Sequence, residues 1–202
     1  MSDLTISFLE KQFNRLRSGK ALVAPSLKGD EAIWLARKGF QVTAYDRDQT
    51  NISKLIERAK AEQVNVIAEI KDLSLAILPL MAFDTILVIG EKPASRFFSE
   101  INRSLAQGGT VFIDGYSMDE AIKSSGKLDP KACYKPNELL GLLKDLHILY
   151  YSEEKAGDCF LVRCLAKKPM NKDMVKYGFA EQRPGDEKKS AAVLAAEKLF
   201  KK

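Results

Sequence analysis

Residues 21–46 read ALVAPSLKGDEAIWLARKGFQVTAYD. The apolar residues 21–24 run into Pro25, and a short turn carries a single glycine, Gly29. Ile33, Trp34 and Ala36 then recur at helical spacing, and Gly39 closes that run. Residues 40–45 alternate and end on Asp46. Strand, turn, helix and strand in 26 residues read as a βαβ unit, which implies two parallel strands joined by a helical crossover.

The same alternation continues downstream. Residues 51–63 place Ile52, Leu55, Ile56 and Ala59 on one helical face, and 64–68 read as a third strand. Residues 74–82 are apolar but ambiguous, with Pro79 breaking any long helix. DTILVI (84–89) is nearly all apolar, as a strand covered on both faces must be. Residues 94–105 are helical through Phe97, Ile101 and Leu105; Gly108-Gly109 reads as a turn and TVFID (110–114) as the fifth strand. Residues 117–133 are polar and irregular, a candidate loop or lid. Residues 136–146 read as a helix, and 147–151 and 159–166 as two strands joined by SEEKAGD in a hairpin. Upstream, Leu4, Phe8, Leu9, Phe13 and Leu16 give a helix over 3–17, ended by Ser18-Gly19.

The order predicts an α/β fold, Rossmann-like and doubly wound, with a mostly parallel seven-stranded sheet and a C-terminal antiparallel hairpin supplying one antiparallel edge strand. The expected organisation is an N-terminal helix (1–18), a Rossmann-like domain (19–168) and a basic extension (169–202). In that extension Val193, Ala196, Leu199 and Phe200 could share one face of a short helix. Such a helix is marginal alone and needs a surface to dock on.

The chain has 32 basic and 27 acidic residues, but residues 167–202 hold 10 basic and 5 acidic ones. Residues 1–166 therefore carry 22 of each and are formally neutral. The high pI belongs to the tail and not to a groove, which argues against specific nucleic-acid recognition. No apolar stretch is long enough to span a membrane, and the N-terminus does not read as a secretory signal. Cys133, Cys159 and Cys164 lack metal-ligand or disulfide spacing, so free thiols in a reducing cytoplasm are expected, with no metal site. His147 and Trp34 read as structural residues, the tryptophan packing on the sheet.

In an open parallel sheet, ligands bind beyond the carboxyl ends of the strands, where strand order switches. The loop after the first strand is P-S-L-K-G-D from Pro25, not the G-x-G-x-x-G of a dinucleotide site. Asp46 ends the second strand, where a carboxylate can accept from ribose hydroxyls; it can equally cap the next helix. Asp72, in IKDLS, can face an adenine amino group or cap a turn. Glu91 and Lys28 lie at strand or loop ends with solvated roles as the alternative.

These residues in this order resemble class I S-adenosylmethionine-dependent methyltransferases, nearest the tellurite-resistance and thiopurine-methyltransferase-like group, over residues 19–166. The stretch above, then KDL, FDTILVI, INRSLAQGGTVFID, YKPNELLGLLKDLHILYYSEE and CFLVRCLAKK, carry the resemblance. It implies S-adenosylmethionine as cofactor, with Gly29, Asp46, Asp72 and Leu73 as its binding residues. It assigns no catalytic residue. The family's acid at the end of the first strand falls on Val23, and its alternate glycines fall on Pro25, Leu27 and Gly29, of which only the last matches. Two functions follow from the resemblance. One is a methyltransferase acting on a small-molecule acceptor. The other is a catalytically inactive relative, serving as a binding or assembly module whose basic tail docks a protein partner.

Overall fold

The computed structural model describes residues 2–90, 92–125 and 127–170. Along this stretch run α1 (Ser2–Gln12), β1 (Lys20–Val23), α2 (Asp30–Arg37), β2 (Gln41–Asp46), α3 (Gln49–Ala61), β3 (Val66–Ile70) and β4 (Phe83–Gly90). They are followed by α4 (Ser95–Ser104), β5 (Leu105–Tyr116), α5 (Met118–Lys123), α6 (Glu138–Leu142), β6 (His147–Ala156) and β7 (Cys159–Lys167). The strands form one sheet in the order β3-β2-β1-β4-β5-β7-β6.

Strand parity divides the core between two faces. Leu22, Ile86, Val88, Val111 and Ile113 pack with Phe97 and Ile101 of α4 and Leu139 of α6. Ala21, Val23, Leu87, Ile89 and Phe112 pack with Phe8 and Leu9 of α1, Ile33 and Leu35 of α2, and Leu55 of α3. The apolar run Ile86–Ile89 is buried throughout, because β4 is central and has helices on both sides. Each such side chain contributes roughly 1.5–3 kcal/mol by leaving water.

Several details differ from the sequence reading. The antiparallel strand is β7, and it lies inside the sheet: it pairs antiparallel with both β5 and β6, so the edge strand β6 runs parallel to the rest. The hairpin turn is only Gly157-Asp158, since β6 extends to Ala156; Gly157 has φ 57°, as a tight turn demands. Gly108-Gly109 is not a turn but part of β5, where the register with β4 slips between Phe83 and Thr85. A side chain at Gly109 would meet the Asp84 carbonyl at 3.1 Å, so glycine lets the bulged strand pass. The first helix ends at Gln12 and is followed by a 3-10 turn, Phe13–Arg15. The candidate lid holds α5 and a second 3-10 turn, Pro130–Ala132, which Asp129 caps. Trp34 is half-buried against the core on the α1–α3 side of the sheet. Its ring stands edge-on to Phe13, with centroids 5.5 Å apart, on the side of α2 facing the turn after α1. His147 is exposed at the start of β6. The expected tail helix and Glu91 lie outside the described residues, among which no helix is long and apolar enough to cross a membrane.

Candidate functional site

Strand order reverses at β1, which has β2 on one side and β4 on the other. A crevice of about 730 Å³ opens there, beyond the carboxyl ends of β1, β2 and β4. Asp46, Asp72 and Leu73 all line it. Gly29, the fourth residue expected to bind cofactor, is not among the lining residues. It is the N-cap of α2 at φ 82°, and a side chain there would meet Leu55 at 2.7 Å. Its glycine identity is accounted for by helix packing and a left-handed backbone.

Asp46 is 3% exposed and already engaged. Its Oδ2 accepts from the Leu27 amide at 2.8 Å, the Asn51 side-chain amide at 3.2 Å and the Ser26 hydroxyl at 3.3 Å. Its Oδ1 accepts from the Asp48 amide at 2.9 Å. The cap of α3 is Asp48, which accepts from the Thr50 amide, so Asp46 is not that cap. Asp46 instead ties the loop after β1 to the start of α3. The loop is fixed further by the Ser26 amide donating to the Tyr45 carbonyl and the Gly29 amide to the Ser26 carbonyl, both at 2.8 Å.

Leu27 takes the left-handed backbone at φ 49°, a conformation unfavourable for a residue with a side chain. Its side chain lines the crevice and packs against the core on the α1–α3 side of the sheet. Gly90, at the end of β4, also has positive φ, and a Cβ there would lie 3.2 Å from Leu27 Cδ1. The leucine therefore lies beside the end of β4, the strand next to β1. Val23, at the position where the resemblance implies an acid, is fully buried between the sheet and α1–α3 and does not reach the crevice.

Asp72 is exposed and closes a turn: the Ser74 amide and hydroxyl donate to its Oδ1 at 2.8 and 2.7 Å. The Ser74 hydroxyl and then its amide hold the Asp72 carboxyl below the usual range. Its Oδ2 is left for another donor. Leu73 supplies an apolar wall, continued by Ile89, Pro93 and Ala94.

Sequence reasoning missed Asn51 and Gly90. Asn51 sits in the first turn of α3, five residues after Asp46, and a glycine directly after the DTILVI run marks a close backbone approach. It also missed Lys92, which pairs with Glu138 of α6 at 3.0 Å. Among the described lining residues there is neither a histidine nor a cysteine. The thiols are free; Cys133 and Cys164 are buried, and burial pushes Cys164 up to about 12. Neither is poised as a nucleophile.

Beside β5 lie two further buried polar groups. Asp114 is paired with Arg163 of β7 at 3.3 Å beneath α1, and the Arg163 guanidinium stacks 4.9 Å from the Phe8 ring. Tyr134 packs against Gly115, and its hydroxyl has no partner among the described residues. Neither group lines the crevice.

Asp46 and Asp72 give the crevice carboxylate acceptors and Leu73 an apolar surface, and the loop after β1 adds Leu27, whose amide donates to Asp46.

No family model matches the chain, and no curated protein matches it. Solved structures do. A S-adenosylmethionine-dependent methyltransferase from Methanosarcina mazei is 19% identical over 80% of this chain and 98% of its own, with TM-score 0.66. TehB from Haemophilus influenzae is 19% identical over 83% of this chain and 62% of its own, also at 0.66. The SpnF cyclase is 17% identical over 84% and 81%, at 0.67. The chain has the fold of class I S-adenosylmethionine-dependent methyltransferases.

Proposed function

We propose that this chain is a methyltransferase-fold binding module: the crevice is a ligand site, and methyl transfer is not its role. The observation that carries this reading is the Leu27 side chain lying against Gly90. The resemblance puts a glycine of the cofactor loop at this position, and a branched side chain there supports a site that does not take a methyl donor's amino-acid arm. The buried Val23 supports it, because no carboxylate at that position reaches the crevice. Likeness to a cyclase as well as to methyltransferases supports it too, since this fold does not fix one reaction. The basic segment 169–202 is proposed as the partner-docking region on charge alone.

A second reading, a S-adenosylmethionine-dependent methyltransferase acting on a small molecule, is favoured by one observation. Asp46, Asp72 and Leu73, the residues the resemblance assigns to adenosine, share one crevice that continues to Ala94 and Tyr116. Proximity alone can drive transfer to a soft acceptor, so a missing general base does not exclude it.

The readings part in a titration. Calorimetry with S-adenosylmethionine and S-adenosylhomocysteine on the full chain should show no binding in the micromolar range. Micromolar binding of both would favour the second reading. For the partner, deleting residues 170–202 should release a bound protein; unchanged interactions would count against the module.

A further inference from the structure

We propose that the outer edge of β3 is where two copies of this chain join, pairing antiparallel about a twofold axis at Ala68. This goes beyond the reading of the crevice and does not depend on it.

Among the described residues β2 is the one sheet neighbour of β3. The Lys71 amide donates to the Asp46 carbonyl, so Ile67 and Glu69, at alternate positions, also turn their backbone groups toward β2. Val66, Ala68 and Ile70 turn theirs outward, as a row of donors and acceptors that a further strand can take up. The opposite edge, β6, is guarded. Its register slips between Ile148 and Tyr150, and Glu153, Glu154 and Lys155 follow one another along it. β3 has neither device. Its pairing with β2 is unbroken and it holds no proline. Its Glu69 is already paired with Lys71 at 2.8 Å, so the edge carries no net charge there to repel another copy.

The side chains favour a second copy. A pairing centred on Ala68 sets Val66 of each copy opposite Ile70 of the other and uses the whole strand. Ile70, 55% exposed, would pack on Val66 of the other copy. On the other face Ile67, 64% exposed, would stand diagonal to Ile67 of the other copy. That face is apolar beyond the strand as well. The crossover from β3 to β4 holds no helix and crosses as a strap. Leu73, Ala76, Leu78 and Ala82 of the strap pack on the core, while Leu75, Ile77 and Leu80 stay exposed. Ile67 shares the strap's side of the sheet, because Glu69, two residues on, is in register with Tyr45 of the same core. A twofold axis through the edge is normal to the sheet, so both straps come to one side of a continuous sheet. The exposed side chains of strand and strap approach the roughly 300–600 Å² of a monomer's largest apolar patch, and two copies come to about the 1,200 Å² at which specific interfaces begin.

The test is sedimentation velocity on the full chain, joined to amide exchange followed by NMR. The native chain should be dimeric at about 100 μM. Ile67→Lys combined with Ile70→Lys should weaken the dimer at least about tenfold. Ala68→Pro, which removes the outward amide at the axis, should do the same, and an edge strand tolerates that proline. Both variants are checked for native melting; if the proline variant does not fold, the lysine variant carries the result. In the native dimer the Val66 and Ala68 amides should exchange at least about tenfold more slowly than in the lysine variant, while the Glu69 amide, bound within the sheet, exchanges alike in both. A native chain that is monomeric at about 100 μM overturns the second copy as the occupant and leaves the edge to a strand of another protein. A dimer that survives the substitutions, or Val66 and Ala68 amides that exchange alike in dimer and variant, overturns the edge as its seat.

Discussion

The Leu27 amide donates to the Asp46 carboxylate at 2.8 Å, and this bond joins the loop after β1 to the end of β2. The acid best placed to serve a ligand is thus also the clasp of the loop. Asp46→Asn keeps the shape but turns an amide group toward donors. It should destabilise the fold by about 2–3 kcal/mol, the usual size for hydrogen bonds to a charged acceptor. Urea unfolding at pH 7 measures this. A change below about 0.5 kcal/mol would mean that the clasp contributes little.

Tyr134 invites a catalytic reading, as a buried tyrosine near the end of β5. Its hydroxyl has no hydrogen-bond partner among the described residues, and burial pushes its ionisation well above the normal range. Tyr134→Phe removes an unsatisfied group and should stabilise by about 1 kcal/mol. A loss of stability of that size would reveal a partner for the hydroxyl.

Gly115→Ala should do the opposite. The new methyl would collide with the Tyr134 ring and stand 3.0 Å from the Gly90 carbonyl. Overpacking of this kind costs about 1–3 kcal/mol. Combining it with Tyr134→Ala should recover part of the loss in a double-mutant cycle.

Asp114 gives a pH signature. Burial holds its carboxyl above the usual 3.8, although the Arg163 charge and the Thr5 hydroxyl pull it down. The folded state therefore favours the protonated form relative to the unfolded chain. Its contribution is complete below 3.8 and is lost as pH rises from there through the raised value. The stability of the native protein minus that of Asp114→Asn should accordingly fall as pH increases above about 4. A difference that rises with pH would reverse the assignment. Arg163→Met, which leaves Asp114 buried without its partner, should cost about 3–5 kcal/mol at pH 7.

The central sheet was legible because its strands are buried on both faces and the intervening helices keep strict spacing; DTILVI and the Gly29–Gly39 run could mean little else. The position of β7 was not legible. Strand order within a hairpin depends on which partner covers β5, and no local pattern encodes that. Asp46 and Asp72 were found by their places at strand ends. Their present hydrogen bonds were not, because Ser26, Asn51 and Ser74 are small polar residues that could equally have faced water. Leu27 was visible as a departure from glycine. Its direction needed a backbone angle, φ 49°, that a sequence does not print.

The most direct measurement is a crystal structure of the protein soaked with S-adenosylhomocysteine at millimolar concentration, beside one soaked with adenosine. Adenosine should occupy the crevice between Asp46 and Leu73 while Leu27 stays against Gly90, and S-adenosylhomocysteine should leave no ordered amino-acid arm over residues 25–29. Leu27 rotated away from Gly90, with that arm ordered along the loop, would contradict the binding-module reading and restore the methyltransferase.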